Sequence, residues 1–319
     1  MKRAWQSLGN ITLSRTFPPI TPPHFLSRRH LFKEIDCQAP GTSLIIAPSG
    51  YGKSTLIAEW AHQQSRKVFW LTIAEGDSLQ DLSTLFIEAT RNVIPGFAPW
   101  FEVNFPMRAS DVVQRWAREL SEYKEEFVLV LDYLRMDRNA DLEVASKLIT
   151  LFPSNLHFVA IRQSHDDTLY TACASRGNVK VITENQLRFS SEEISQLATN
   201  FNLDINDVRI QKSLSASQGW PTATSMVLHK LAATNGEISA EDLLATLNGS
   251  LQPLARALVD HMAQEEVEIV KRLSILDEFD HQLAEYLLED LYRFESISNL
   301  GLKGEILHVT NSTNTIYRF

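Results

Sequence analysis

The sequence predicts an α/β protein in which a parallel sheet precedes two smaller, mainly helical parts. Short and almost continuously apolar runs, which are typical of parallel strands buried on both faces, occur at 43–47, 67–73, 127–132 and 156–161. Segments with helical periodicity separate these runs, and strands that alternate with helices favour a doubly wound sheet. After about residue 186 the strand signal stops and helical patterns continue.

Length and composition limit the possible classes of protein. A chain of 319 residues suggests about two domains or more. Its formal net charge of −9 argues against a broad nucleic-acid surface. Cys37 and Cys173 are too few for a disulfide framework, so we expect reduced thiols. Because no apolar run approaches the roughly 20 residues of a membrane helix and the start lacks the core of a signal peptide, we expect a cytoplasmic protein without a membrane partner.

In the first half of the chain, a proline-rich lead-in precedes the strands and helices. We expect residues 1–24 to be an extended segment, because the four prolines at 17–24 deny donors to a helix or sheet. A fifth strand is predicted at 179–182. Helices are predicted at 54–65, 79–93, 110–124 and 141–151.

The second half predicts two further domains. Residues 190–200 begin with a serine cap and early glutamates, and 204–217 also has helical spacing, so we expect a small helical domain. From about 252, three amphipathic helices precede a tail at 305–319 whose two alternating runs flank a polar turn, which together predict a winged helix. The predicted boundaries are 1–37 for the lead-in, 38–185 for the sheet domain, 186–250 for the helical domain and 251–319 for the winged helix.

A motif between the first strand and the first helix indicates the chemistry most clearly. It reads A-P-S-G-Y-G-K-S-T and differs from the P-loop pattern G-x-x-x-x-G-K-[ST] only in Ala47. Gly50 and Gly52 permit the backbone conformations that turn successive N–H groups towards a phosphate, and the following helix adds its positive end. The fold class is therefore a P-loop NTPase sheet, and the residues expected to contact a nucleotide are Ser49, Gly50, Tyr51, Gly52, Lys53, Ser54 and Thr55.

The P-loop pattern assigns distinct roles to a lysine, a hydroxyl and an acid. Lys53 is expected to reach the β and γ phosphates, and Ser54 to offer its hydroxyl to Mg²⁺, with Thr55 as a neighbour that faces the fold. Asp132, after the apolar run F-V-L-V-L, is the acid expected to hold the metal through water. Because Tyr133 follows it, a second acid that could orient an attacking water is absent at that position. Binding is therefore better supported than hydrolysis.

Four further features have both a functional and a structural interpretation. Arg162 ends the run H-F-V-A-I-R at a carboxyl strand edge, where it is a candidate sensor of a γ-phosphate or an exposed surface arginine. Residues 165–167, His-Asp-Asp, are predicted to be a solvated loop rather than a metal site. Pro221 in G-W-P is explained by a helix start. The segment 284–296 has four acids and one arginine, which argues against DNA binding by the winged helix.

The chain resembles the nucleotide-binding core of the MalT-type STAND regulators, the large LuxR-family ATP-dependent transcription activators. The resemblance covers roughly residues 25–319 and rests on the strand-end Arg162 and on A-P-S-G-Y-G-K-S-T-L-I-A-E-W-A, W-L-T-I-A-E-G-D, L-V-L-D-Y, L-R-F-S-S-E-E and Q-G-W-P-T-A. It implies a P-loop domain, a helical domain and a winged helix that together clamp ADP at rest. Inducer and ATP would open the clamp, the subunits would form a homo-oligomer, and a C-terminal helix-turn-helix would bind promoter DNA.

The resemblance also implies roles for individual residues. Lys53 and Ser54 would hold phosphate and Mg²⁺, Asp132 would be the Walker B acid, and Arg162 would be the sensor. In the family, paired acids are common where this chain has Asp132 followed by Tyr133.

On the adenine side, the resemblance implies two contacts. Pro221 would pack on the base, and the backbone of Arg28, in F-L-S-R-R, would meet it from the lead-in. We therefore expect a switch that binds ATP or ADP with Mg²⁺ and is at most a slow ATPase. The alternatives are a stand-alone P-loop ATPase with vigorous turnover and a nucleotide-independent protein-interaction module.

The family motif continues beyond T-I-Y-R-F into a helical-repeat sensor and then a DNA-binding domain. We therefore expect either a part of a longer regulator or a shorter relative with another output. The inducer would act through a sensor that this chain does not contain, and no direct DNA binding is expected of this part.

Overall fold

The structure is a computed structural model that describes residues 14–21, 25–74, 77, 79–101, 108–132, 149–163, 167–215, 217–234, 262–276, 278–297, 308–311 and 316–318. The chain divides into two compact units. The first contains Met1–Ile46, Lys53–Arg162 and Asp166–Thr183, and the second contains Ala47–Gly52, Gln163–His165 and Glu184–Phe319.

A five-stranded parallel sheet forms the centre of the first unit and confirms the predicted α/β fold class. Its strands are β1 (Thr42–Ile46), β2 (Lys67–Thr72), β3 (Phe127–Asp132), β4 (Leu156–Arg162) and β5 (Val179–Thr183). Their order across the sheet is β2-β3-β4-β1-β5, and all four pairings are parallel. Every residue of β3 and β4 is buried, which explains why these runs are apolar throughout.

The helices of the first unit that accompany the sheet include α1 (Phe32–Ile35), α2 (Lys53–His62), α3 (Leu79–Val93), α4 (Ala109–Ser121) and α5 (Asp167–Ala174). The predicted helices at 54–65, 79–93 and 110–124 are confirmed to within three residues at each end. Most of the helix predicted at 141–151 lies outside the described residues. Phe86, Trp116, Phe152 and Phe158 form a chain of aromatic contacts between helices and sheet in the core.

The prediction of a loop at 165–167 is wrong for its last residue. Asp167 begins α5, where its carboxylate lies in the first turn and interacts favourably with the positive end of the helix. His165 and Asp166 lie outside the described residues.

The described lead-in residues pack on the end of β2. The Arg15 carbonyl accepts from the Thr72 amide at 2.8 Å, and the Arg15 guanidinium pairs with the Asp77 carboxylate. Asp77, in the motif W-L-T-I-A-E-G-D, also accepts from the Ala74 amide at 2.7 Å. The prediction of an extended segment at 1–24 is wrong at Ser14, which is helical, and at Arg15 and Thr16, which form a turn. Arg15 anchors this segment to the sheet.

The helices of the second unit include α6 (Glu184–Leu187), α7 (Ser191–Asn200), α8 (Val208–Ser215), α9 (Pro221–Ala233), α10 (Gln264–Leu273) and α11 (His281–Leu288). The serine cap predicted for α7 is confirmed, because Ser190 Oγ accepts from the Glu193 amide at 3.2 Å and Ser190 N donates to the Glu193 carboxylate at 2.9 Å. Pro221 is the first residue of α9, as a proline at a helix start predicts.

A three-stranded antiparallel sheet ends the second unit. It comprises β6 (Glu278–Phe279), β7 (His308–Asn311) and β8 (Ile316–Arg318) in the order β6-β8-β7. The predicted tail hairpin is confirmed by the pairing of β7 with β8. We did not predict β6, because two residues are too few to show an alternating pattern.

The first helix predicted from about 252 lies outside the described residues except for Met262, and the winged helix stays a prediction. Within the described ranges, no helix combines the length and the hydropathy that crossing a bilayer requires.

Candidate functional site

The loop Ala47–Gly52 follows β1 and leads directly into α2. Gly50 has φ +84° and Gly52 has φ +70°, backbone conformations that glycine adopts without steric cost. A Cβ at Gly50 would lie 2.8 Å from the indole nitrogen of Trp220, whereas a Cβ at Gly52 would meet no atom within 4 Å among the described residues. Glycine at position 50 is therefore required by both conformation and packing, and the space beside Gly52 is open.

The first turn of α2 brings a buried cation and a hydroxyl to an acid. The Lys53 side chain is buried, and burial lowers its pKa to about 8, although the charge of Asp132 acts in the opposite direction. Ser54 Oγ donates to Asp132 Oδ1 at 2.8 Å. Thr55, next along the helix, is half-buried. The structure thus places together three of the predicted site residues, although Ser54 and Asp132 lie 78 positions apart in the chain.

The carboxyl edge of the sheet carries two of the predicted site residues of the first unit. Asp132 ends β3 as the register partner of Thr72, and Arg162 ends β4 as the partner of Ile46. Both side chains are buried, with exposed fractions of 7% and 5%. Arg162 is therefore not an exposed surface arginine, and it lies beside the last residue of β1. This edge is where open α/β sheets bind ligands.

In the second unit, three side chains outside the sequence motif contact the P-loop. The Thr222 amide and Oγ1 donate to the Gly50 carbonyl at 3.1 and 2.8 Å. Gln163 Nε2 donates to Ser49 Oγ at 2.9 Å. The ring of Trp220 lies 6.3 Å from that of Tyr51, centroid to centroid. The sequence patterns did not identify Gln163 or Thr222. Gln163 directly follows Arg162, and Thr222 directly follows the motif G-W-P.

Tyr51 is the bulky side chain of this loop and is buried. Burial raises the pKa of its hydroxyl, and the charge of Glu184 raises it further, against the lowering effect of Arg188. The Arg188 guanidinium carbon lies 5.7 Å from the centre of the Tyr51 ring, in a cation–π contact. The aromatic residue of the P-loop is therefore held neutral between the L-R-F and G-W-P segments.

The L-R-F and G-W-P segments are joined by one backbone hydrogen bond and one side-chain hydrogen bond. The Phe189 amide donates to the Gly219 carbonyl at 2.8 Å, and Arg188 Nη1 donates to the Gln218 carbonyl at 3.2 Å. Gly219 has φ +73°, and a Cβ there would lie 2.6 Å from the Phe189 carbonyl oxygen. This close approach requires glycine and fixes the position of the buried Pro221 at the start of α9.

Arg28, the predicted lead-in contact, has both main-chain groups engaged within the first unit. Its amide donates to Glu59 Oε2 at 3.3 Å, and its carbonyl accepts from the Leu31 amide at 2.9 Å. The same Glu59 carboxylate accepts from the Ser27 hydroxyl. Since Glu59 belongs to α2, the lead-in is tied to the helix that follows the P-loop. The contact between the Arg28 backbone and a base stays a prediction.

The residues present suit a polyphosphate and a hard cation. Glycines with positive φ and a buried lysine favour an anion. The Ser54 hydroxyl and the Asp132 carboxylate offer the oxygen ligands that Mg²⁺ prefers. The Trp220 indole nitrogen and the Gln163 amide oxygen, which border the loop, are buried without a hydrogen-bond partner among the described residues. Such atoms are rare in folded proteins, and they suit a polar ligand or water.

A metal site made only of side chains is not found in the described part of the chain, which contains no cluster of three His, Cys, Asp or Glu residues that could hold an ion. The position of Tyr133, which bears on hydrolysis, lies outside the described residues.

No family model matches the chain. Its fold resembles that of a signal transduction ATPase with numerous domains (STAND) protein with a tetratricopeptide repeat sensor from Pyrococcus horikoshii, with a TM-score of 0.51 and 12% identity over 94% of this chain and 42% of that one. It also resembles the ORC1 protein from Aeropyrum pernix, solved in complex with DNA, with a TM-score of 0.51 and 11% identity over 93% of this chain and 89% of that one. At these identities the likeness shows the fold, and the chain spans about two fifths of the STAND protein.

Proposed function

We propose that this chain is an ATP- and ADP-binding molecular switch of the STAND kind. The observation that carries the proposal is the buried Lys53, at the end of a loop with two positive-φ glycines, in the same helical turn as the hydroxyl that bonds Asp132. A lysine whose burial lowers its pKa to about 8 is stabilised in its charged form by an anion. A nucleoside polyphosphate supplies that anion.

The residue roles follow from this chemistry. Lys53 and the loop amides bind the phosphates, and Ser54 and Asp132 hold Mg²⁺, which when bound neutralises phosphate charge. Arg162, buried at the end of β4, is the proposed sensor of a γ-phosphate. Pro221 packs on the adenine at the start of α9.

Binding is better supported than turnover. The residue after Asp132 is Tyr133, so the sequence offers no second carboxylate at that position to orient water. Slow hydrolysis suits a switch, because each nucleotide state must persist long enough to be sensed. We propose a resting form with ADP, and inducer and ATP favour an open form that oligomerises.

The supporting comparison is the Pyrococcus STAND protein, whose name includes a tetratricopeptide repeat sensor. We propose that the inducer is detected by a sensor domain of the regulator. The C-terminal helices and sheet are the proposed winged helix. Its segment 284–296 carries four acids and one arginine, so we propose no direct DNA binding through it, although the ORC1 structure of similar fold contains DNA.

Titration calorimetry with ADP and with ATP, each with Mg²⁺, tests the assignment. We expect the wild-type chain to bind both nucleotides and Lys53→Ala to bind neither. Lys33→Ala is the matched control, because its side chain is 80% exposed and pairs only loosely with Glu34, at 3.9 Å. If Lys53→Ala bound the nucleotides as tightly as the wild type, the assignment of the nucleotide site would be overturned.

The same preparations separate the two alternatives. Several ATP turnovers per second without an inducer would indicate a dedicated ATPase. A wild-type chain that binds no nucleotide yet captures a protein partner would indicate an interaction module.

A further inference from the structure

The Gly50 carbonyl accepts two hydrogen bonds from one residue of the second unit. The Thr222 amide donates at 3.1 Å and its Oγ1 at 2.8 Å, across 172 positions of sequence. Gly50 lies against the Trp220 indole, which a Cβ at that position would approach to 2.8 Å. The middle of the P-loop is thus held against the first turn of α9.

The start of α9 explains why the carbonyl is bound there. The first amides of a helix have no partner within it and need an acceptor from outside. Trp220, the N-cap residue of α9, supplies no side-chain cap, and Pro221 has no N–H. Thr222 therefore has the first N–H group of this helix, and the Gly50 carbonyl of the P-loop accepts a hydrogen bond from it.

A carbonyl held by hydrogen bonds also fixes the direction of the N–H group of the next residue. In a planar trans peptide the C=O of one residue and the N–H of the next point in opposite directions. When the Gly50 carbonyl is held towards α9, the Tyr51 N–H is therefore held facing away from α9. Anion-binding loops depend on the direction of such amides.

We propose that Thr222 is a positioning residue that orients the Tyr51 amide for phosphate binding. The inference rests on the proposed function, because it concerns affinity for the same nucleotide. The Thr222 hydroxyl does not touch the ligand in this account. It acts through the Gly50–Tyr51 peptide, so its contribution depends on the phosphates of the ligand and not on the nucleoside.

The test compares Mg²⁺-ADP with adenosine on the full 319-residue chain, stripped of nucleotide. Thr222→Val keeps the shape and the amide but loses the hydroxyl, and Thr222→Ser restores it. We expect Thr222→Val to weaken ADP binding about fivefold, in the range of one net hydrogen bond, with adenosine affinity unchanged. Thr222→Ser should bind both as the wild type does.

Thr224→Val is the matched control on the same helix. Its Oγ1 lies 2.8 Å from Ser217 Oγ and does not bond the loop, so we expect the same ratio of ADP to adenosine affinity as in the wild type. A Thr222→Val chain with an unchanged ratio overturns the inference while leaving the proposed function intact. A parallel loss of both affinities together with a lower melting temperature also overturns it, because that is a structural role. A wild-type chain that binds no ADP overturns the proposed function as well.

Discussion

Ser54 Oγ lies 2.8 Å from Asp132 Oδ1 and donates to it. Ser54 belongs to the first turn of α2, and Asp132 is the last residue of β3. Strand β4 separates β3 from β1, so these residues meet at the carboxyl edge of the sheet across an intervening strand. The bond joins the helix that follows the P-loop to the acid, and it places two oxygen ligands side by side for a hard cation.

Removing the charge of Asp132 is predicted to weaken the magnesium dependence of binding. In Asp132→Asn the amide keeps the shape of the carboxylate but is a poor ligand for Mg²⁺. Because Ser54 and the phosphates still offer oxygen ligands, we expect Mg²⁺ to strengthen ADP binding in the variant, but by less than in the wild type. Asp111→Asn, at an exposed position of α4, is the control. An Asp132→Asn variant that responds to Mg²⁺ in calorimetry as strongly as the wild type would refute the assignment of Asp132 to the metal.

Phosphate binding is predicted to take up a proton on Lys53. The pKa of Lys53 in the free protein is about 8, so about half of the side chains are neutral at pH 8. An anion favours the charged form and raises this pKa, so roughly half a proton is bound with each nucleotide at pH 8 and few at pH 7.

Calorimetry in buffers of different ionisation enthalpy measures this uptake directly. Affinity should also fall as the pH rises above about 8, because the free lysine then loses its proton. Lys53→Arg serves as the control, since arginine stays charged throughout and should show no uptake. Equal proton uptake by Lys53→Arg would place the titrating group elsewhere.

His157 is predicted to make the fold sensitive to acid. The ring is fully buried in β4, its Nε2 lies 2.9 Å from Ser43 Oγ, and its edge meets the ring of Trp60. Burial, with smaller effects from Arg66 and Lys180, lowers its pKa to about 3. The unfolded chain therefore binds this proton more readily, and stability declines as the pH falls below about 6.5.

Between pH 7 and pH 5 this single group lowers the free energy of unfolding by about 2 kcal/mol. Urea denaturation gives the free energy of unfolding at pH 7 and at pH 5. We expect the difference between the two values to be smaller by about 2 kcal/mol in His157→Phe than in the wild type. His62→Gln, at an exposed position of α2, should retain the wild-type pH dependence. An unchanged pH dependence in His157→Phe would contradict the assignment.

Arg176 is predicted to stabilise the entry to β4. Its Nη1 donates to the carbonyls of Ile149 and Phe152 at 3.0 and 2.9 Å, and its Nη2 donates to that of Leu156 at 3.1 Å. A lysine cannot reproduce this planar fork, so Arg176→Lys should lower the free energy of unfolding by roughly 2–3 kcal/mol. Arg118→Lys, at an exposed position, should change it by less than about 0.5 kcal/mol. Equal stability of the two variants in denaturant would show that the fork is dispensable.

Much of the sheet could be predicted because its strands are buried on both faces. The runs at 127–132 and 156–161 are apolar throughout, and the structure buries every residue of β3 and β4. The lateral order of the strands was not predictable from these runs, because each shows only that it is buried and not which strand lies beside it. The two-residue β6 was missed for lack of any periodicity.

Part of the candidate site could also be predicted from the sequence, and part of it could not. Lys53, Ser54 and Asp132 belong to patterns whose spacing reflects local backbone geometry, and the structure brings them together. The bond between Thr222 and Gly50 spans 172 positions and depends on where α9 begins, which no local pattern specifies. A threonine after G-W-P does not indicate a functional role by itself. Its role becomes visible only when the structure shows that its amide is the first N–H of α9.

This P-loop is predicted to hold a nucleotide at rest. The most direct measurement is to denature the protein as purified, without dialysis, and to identify the released nucleotide by chromatography and mass spectrometry. We predict nearly one ADP per chain from the wild type and from Lys33→Ala, and none from Lys53→Ala. A wild-type protein that releases no nucleotide, or a Lys53→Ala variant that releases as much as the wild type, would contradict the claim.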